Sequence, residues 1–271
     1  MIEEIRIDTL DALKDLVFEQ YRNEENGRLR SPYFYRGLPD ASYSLVTSLH
    51  QNCGDLEKQL ERPMLENFIK YARLEYPTIN ESVWTALMVG QHHGLPTRLM
   101  DWSHSTLVAL HFACTENNWD DLDKRDGVVW RMDVRDLNQH LPEKYKQALK
   151  ERRSFMMTVE KLSSITGSLE EYDRDMMGKA MVTLEPPSID QRIVNQYAFF
   201  SLVPMGMTDI NQYLEENTEH TIKYIIDKGI RWDLRDMLDQ FNTSERTIYP
   251  GIDGVTKWIA RHYYVRKDPE S

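Results

Sequence analysis

Between His92 and Trp102 the chain places His92, His93, Thr97, Arg98, Asp101 and Trp102, polar groups of nearly every chemical type in one short stretch. Imidazoles exchange protons near neutral pH, and a carboxylate such as Asp101 can act as a base or stabilise positive charge. A guanidinium fork grips oxyanions through two parallel hydrogen bonds, so Arg98 and the distant Arg36 suit phosphate. Trp102 and Tyr35 offer flat faces for a base or a nicotinamide ring. Gln196, on a later strand-like stretch, adds an amide. Arg36, His92, Thr97, Arg98, Asp101, Trp102 and Gln196 together suit a nucleotide-like small molecule. NAD, with two phosphates and two flat rings, fits that set. The plainer alternative is that Arg98 and Asp101 pair with each other and tie the stretch to the core, because buried ion pairs cluster charge as well.

Other chemistries lack their spacing. His92, His93, His104, His111, Cys114 and Asp101 are close in sequence, yet no HExxH or paired CxxC joins them, and no metal site is expected. There is no GxSxG, no P-loop and no GxGxxG, which disfavours a serine hydrolase, a Walker-type nucleotide site and a Rossmann cofactor site.

The polar stretch needs a frame, and the flanking pattern supplies one. Trp84, Leu87, Met88 and Gln91 recur at helical spacing before it, Gly94 and Pro96 then break the chain, and Leu107, Val108, Leu110, Phe112 and Ala113 resume an apolar run. The expectation is a polar loop between two buried helices. Arg36 sits at the end of a short aromatic strand that begins after Pro32 and stops at Gly37 and Pro39. EEIRI at the N-terminus reads as a strand, followed by a helix capped by Asp8 or Thr9 and running to Tyr21. Residues 42–48 read as extended, and 56–75 as an amphipathic helix broken or bent near its start by Pro63. Residues 127–134 alternate as a strand. Residues 141–157 form the most basic helix, whose charges read as a solvated face. Residues 163–178 look like a flexible insertion, 181–184 like a strand and 190–203 like two strand-like pieces. A strand at 220–226 and helices at 232–241 and 255–263 complete the chain. Helices fill the N-terminal half and most strands the C-terminal half around a mixed β-sheet core, which makes the fold class α+β.

At 271 residues, 41% apolar and 28% charged, the chain can bury a sizeable core as one domain, with the core at about 32–263 and 1–31 as an N-terminal helical extension. A net charge of −11 argues against broad nonspecific binding to nucleic acid. Two cysteines, Cys53 and Cys114, make no disulfide framework and suit a reducing cytoplasm. No apolar run is long enough for a membrane span and no signal-peptide pattern opens the chain, so a cytoplasmic protein without a membrane partner is expected.

QHHGLPTRLMDWS, with LVALHFA behind it, resembles the signature of the FRG domain family, named for a Phe/Tyr-Arg-Gly triplet present here as Tyr35-Arg36-Gly37. The resemblance continues in QRIVNQYAFFSLVP and TIYPGIDGVTKWI, and so runs from about Pro32 to Ile259. It adds Gly37 and Gln91 to the ligand-binding candidates Tyr35, Arg36, Thr97, Arg98 and Trp102. The layout is also loosely similar to arginine-first ADP-ribosyltransferases, with Tyr35-Arg36-Gly37 as the first element and His111 to Ala113 as the second. Their third element carries a glutamate where NQYAFF has Gln196. A Gln can hydrogen-bond a ribose hydroxyl but cannot supply charge to a cationic sugar carbon, so either Asp101 or another acid substitutes, or the chemistry is different, or the site only binds. The catalytic candidates are therefore His92, Asp101 and Gln196. The resemblance implies an NAD-consuming or ADP-ribosyl-transferring effector of the toxin or phage-defence kind, acting on a protein or nucleic-acid target that the sequence does not identify. The alternatives are a non-enzymatic nucleotide sensor or interaction module, and a nuclease using His92 and His93 as base and acid.

Overall fold

A computed structural model describes residues 2–18, 27–28, 31–187 and 191–266. Among these, one mixed sheet forms from β1 (Glu3–Ile7), β2 (Tyr33–Leu38), β3 (Leu99–Ser103), β4 (Gly127–Asp133), β5 (Met157–Thr158), β6 (Val182–Glu185), β7 (Ala198–Leu202) and β8 (Ile222–Ile226). Their order across the sheet is β1-β8-β4-β2-β3-β7-β6-β5. The outer pairs β1–β8 and β5–β6 run parallel, and the inner pairs are antiparallel. The fold is α+β with a mixed sheet. No helix among the described residues is long and apolar enough to cross a membrane.

The pairing is uneven in a way that matters. β2 matches β4 along six residues, from Tyr33 against Asp133 to Leu38 against Val128. On its other side β2 meets β3 at a single pair, Tyr35 against Ser103, and the two strands then part. The packing follows the same line. Side chains alternate across a strand, so each face gathers its own apolar set. One face is continuous, with Phe34, Met100, Trp102, Trp130 and Met132 under Ile210 and Leu214. The opposite face carries two separate cores. Leu99, Val182, Leu184 and Phe200 pack there with Trp84, Tyr145 and Tyr172. Tyr33, Tyr35, Val129 and Tyr224 pack with Ala109, Leu110, Leu234 and Leu238. A crevice is left between these two cores, where β2 and β3 diverge.

Several expectations need correcting. The polar stretch is not a loop throughout, because Leu99–Ser103 pairs with β7 along five residues as β3. The helix Glu57–Ala72 is not broken at Pro63, which lies within it. Residues 163–178 are no loose insertion: helices Val159–Ile165 and Leu169–Met176 cover them, and Tyr172 is fully buried with its hydroxyl donating to the Leu202 carbonyl at 2.6 Å. The first piece of 190–203 is a helix, Gln191–Asn195, and only Ala198–Leu202 is a strand. Asp190 and Tyr21 lie outside the described residues, and the first helix covers Leu13–Val17. Strands divide evenly, four before residue 134 and four after, so the N-terminal half is not the helical one. The segment expected as a helical extension contributes β1 to the sheet.

Candidate functional site

The crevice is a cavity of about 760 Å³ whose walls come from both cores. Tyr35, Arg36, Gly37 and Leu38 of β2 line one side with Val108, Ala109 and Phe112 of the helix Thr106–Ala113. Gln91 from the helix Val83–His92 and Asp101, Trp102 and Ser103 of β3 line the other, joined by Arg192, Gln196 and Ala198. Asn117, Asn118, Asp121 and Arg125 close one end. The volume lies within the range of small-molecule sites, roughly 300–1,000 Å³.

Gly37 explains why the helix Thr106–Ala113 can sit so close to β2. A Cβ there would stand 1.8 Å from the Ala109 carbonyl oxygen and 2.8 Å from the Ala113 nitrogen, so only glycine fits. The same helix is capped by Ser105, whose hydroxyl accepts from the Val108 N–H at 3.3 Å. Arg36, next to that glycine, turns into the gap between the strands. Its Nη1 donates to the Asp101 carbonyl oxygen at 2.6 Å and lies 3.7 Å from the Asp101 carboxylate.

A chain of side-chain hydrogen bonds orients that carboxylate. The buried Thr97 hydroxyl donates to Gln91 Oε1 at 2.6 Å, which turns the Gln91 amide so that Nε2 donates to Asp101 Oδ2 at 2.9 Å. Thr97 is itself fixed, because its N–H donates to the Ser48 hydroxyl at 3.0 Å. Asp101 remains about half-exposed, at 52% of its side chain. It is a carboxylate that is held in place yet open to the cavity.

The remaining donors are less settled. Burial lowers the pKa of Arg36, opposed by the charge of Asp101, and its Nε is buried with no hydrogen-bond partner among the described residues. Trp102 is buried, and its indole N–H is unpartnered in the same sense. Both atoms are shielded from the cavity, and unpartnered buried atoms also occur away from it, at Trp130, Tyr213 and Arg235. Gln196 Nε2 donates to the Ile248 carbonyl at 3.2 Å, and the Gln196 backbone carbonyl accepts from the Ser103 hydroxyl at 2.6 Å.

The structure takes three expected residues, Arg98, His92 and Thr97, out of the lining of the cleft. Arg98 is 3% exposed, and its guanidinium is occupied by the carboxylates of Glu61 and Asp173, with Nε to Glu61 and Nη1 to Asp173 both at 2.6 Å. Burial works against its charge, but the carboxylates of Glu61 and then Asp173 together outweigh it and hold its pKa well above the ordinary value. The expected pairing of Arg98 with Asp101 is thus replaced by a pairing with acids far along the chain. His92 does not line the cavity; its ring stacks edge-on with His93, and His93 Nε2 meets the Tyr76 hydroxyl at 2.9 Å. Thr97 stands behind the cavity wall as the residue that orients Gln91. Tyr35 lines the cavity, but its hydroxyl meets Ser31 at 3.2 Å and it is 2% exposed. The histidines and cysteine near the stretch scatter as well. His104 stacks between Phe34 and Phe199, and His111 is buried against Arg235 at 2.7 Å.

Residues 31–122 match the family model of the FRG domain. The chain carries an FRG domain. Nothing among curated proteins matches the chain, and no solved structure does. The matched residues of the FRG domain span β2, the Gln91–Asp101 wall and the helix Thr106–Ala113. The rest of the cleft comes from beyond the match, through Arg125, Arg192, Gln196 and Ala198.

Sequence reasoning passed over Arg192, Phe112, Tyr43 and the 116–125 end of the cavity. For Arg192 a signal was present: it lies in QRIVNQYAFF, the block that carries Gln196. Assigning that block to a strand hid the helical turn that brings Arg192 and Gln196 to the same cavity.

Proposed function

We propose that the cleft binds a dinucleotide, NAD, and that the FRG domain acts on it as an NAD-consuming or ADP-ribosyl-transferring effector, in a toxin or phage-defence setting. The observation that carries this reading is a single cavity combining a poorly compensated Arg36, an oriented and open Asp101, and apolar and aromatic walls from Phe112, Tyr43 and Ala109. Arg36 would hold a phosphate, and the flat walls would take the rings. Hydrolysis or transfer would break the bond between nicotinamide nitrogen and ribose C1′. The electron pair leaves with nicotinamide, and water or a target nucleophile bonds to C1′ and gives up its proton. Asp101, pinned by Gln91, would stabilise the positive charge that grows on the sugar as that bond lengthens. Arg36 and the Thr97–Gln91 relay fix the carboxylate beforehand, so little reorganisation accompanies the step.

A second reading, a nucleotide sensor without turnover, is favoured by one observation. The amide of Gln196 brings no charge, and it is already engaged by Ile248. The test is incubation of the protein with NAD while nicotinamide is measured by chromatography. The enzyme reading expects release above the spontaneous rate and, for Asp101→Asn, a loss of about 100-fold or more with the melting temperature nearly unchanged. Tight NAD binding with no release by the wild type would leave the sensor. Absence of both binding and release would end the dinucleotide reading.

A further inference from the structure

We infer that Arg192 and Arg36 together clamp a diphosphate in the cleft, so that the site selects diphosphate-bridged nucleotides over monophosphates. The inference rests on the reading of the cleft as a dinucleotide site, and it fills the place the sequence had suggested for Arg98.

Several other arginines of this chain are matched by carboxylates. Arg98 is matched by Glu61 and Asp173, Arg231 by Glu116 at 3.2 Å, and Arg261 by Glu245 and Asp239 at 2.8 and 2.7 Å. Arg125, also on the cleft, has Glu116 at 3.4 Å and Asp40 at 3.6 Å. With 44 acidic against 33 basic residues, carboxylates are plentiful. On the cleft itself, Arg36 and Arg192 are the more loosely compensated arginines. The closest carboxylate to Arg36 is Asp101 at 3.7 Å, and the facing oxygen of Asp101 is already engaged by Gln91. Among the described residues Arg192 has no carboxylate within ion-pair distance. Its guanidinium lies over the Tyr249 ring at 5.2 Å, and Nη1 reaches the His92 carbonyl at a long 3.4 Å.

Stacking on an aromatic face holds a guanidinium by its plane and leaves most of its N–H edge available. The platform is anchored too, because Asn195 Nδ2 donates to the Thr247 carbonyl at 2.7 Å and Gln196 to that of Ile248. Arg36, held only at 3.7 Å from Asp101, and Arg192, with no ion pair among the described residues, line one cavity and fit two linked phosphates, one per fork. A monophosphate can occupy only one.

Calorimetric titration of the full chain with NAD, inorganic pyrophosphate and AMP separates the possibilities. Wild type is expected to bind NAD and pyrophosphate. Arg192→Gln should weaken both by about tenfold or more while leaving AMP within about twofold and the melting temperature unchanged. Arg192→Lys, which keeps the charge without the fork, should fall between. If NAD binds wild type and Arg192→Gln alike, the inference fails and the dinucleotide site stands. If AMP weakens as much as NAD, the selectivity for diphosphate is wrong. If pyrophosphate binds through Arg192 and NAD does not bind, the clamp stands and the dinucleotide reading falls. Failure of wild type to bind either overturns both.

Discussion

Arg36 and Arg98 are the same residue type in the same sequence family signature, and the fold puts them to opposite uses. Arg98 is buried between Glu61 and Asp173, residues 37 and 75 positions away. Removing one partner of such a group leaves an uncompensated buried charge, a loss of about 3–5 kcal/mol. Arg98→Met and Glu61→Gln should therefore each lower the denaturation midpoint strongly, with the double variant far less harmful than the sum. Arg36→Gln, by contrast, should shift the midpoint little and remove ligand binding. Urea unfolding of the four proteins checks this. A large stability loss for Arg36→Gln would make Arg36 a structural residue. The sequence could place a charged cluster at 92–102 but could not assign its partners, because both acids that claim Arg98 come from helices elsewhere in the chain. Asp101 was legible as the acid of the stretch; its orientation by Thr97 and Gln91 was not, because that relay depends on a turn between helix and strand.

At the scale of elements, long amphipathic helices and the alternating strands were legible from period alone. β3 was hidden because its five residues lie among turn-forming and polar ones, and strand pairing with β7, nearly 100 residues on, decides its conformation. The helix Leu169–Met176 was hidden by its charged surface, which masks Leu169, Tyr172 and Met176 on one buried face. The junction of the helix Thr106–Ala113 with the helix Arg231–Gln240 makes a separate prediction. His111 there is fully buried against Arg235, with Arg261 and Glu245 nearby, and burial followed by Arg235 pulls its pKa from 6.5 down to about 3. The unfolded chain takes up a proton below its ordinary pKa while the folded chain does not. Stability is therefore complete above that value and falls as pH drops, by up to about 1.4 kcal/mol per unit. His104 is also held neutral by burial, so the comparison must be with a variant. His111→Gln, which keeps an acceptor for Arg235, should lose about 2 kcal/mol less than wild type between about pH 7.5 and pH 5. Equal losses in urea titrations would mean that His111 is protonated in the fold.

For the molecule as a whole, the decisive feature is that one face of the sheet holds two cores in place of one. The β2–β3 divergence separates them, and the cleft is what remains between. Sequence reasoning expected Arg36, the His92–Trp102 stretch and Gln196 to converge on one pocket, because each polar cluster borders a strongly apolar element; Arg36, Asp101, Trp102 and Gln196 line one cavity, whereas His92, Thr97 and Arg98 do not. It could not anticipate the divided core, which depends on strand order. The net charge of −11 also reads differently in three dimensions. Three arginines, Arg36, Arg125 and Arg192, line the cleft, and among the described residues Arg192 forms no ion pair. The central claim is that this cleft is a dinucleotide site, and the most direct measurement is a crystal structure of the chain grown with millimolar NAD. The account predicts density between the Gly37–Phe112 wall and the Gln91–Asp101 wall, with the diphosphate between Arg36 and Arg192 and ribose against Asp101. NAD bound elsewhere on the surface, or an empty cleft in crystals where that cleft is open to solvent, would contradict it.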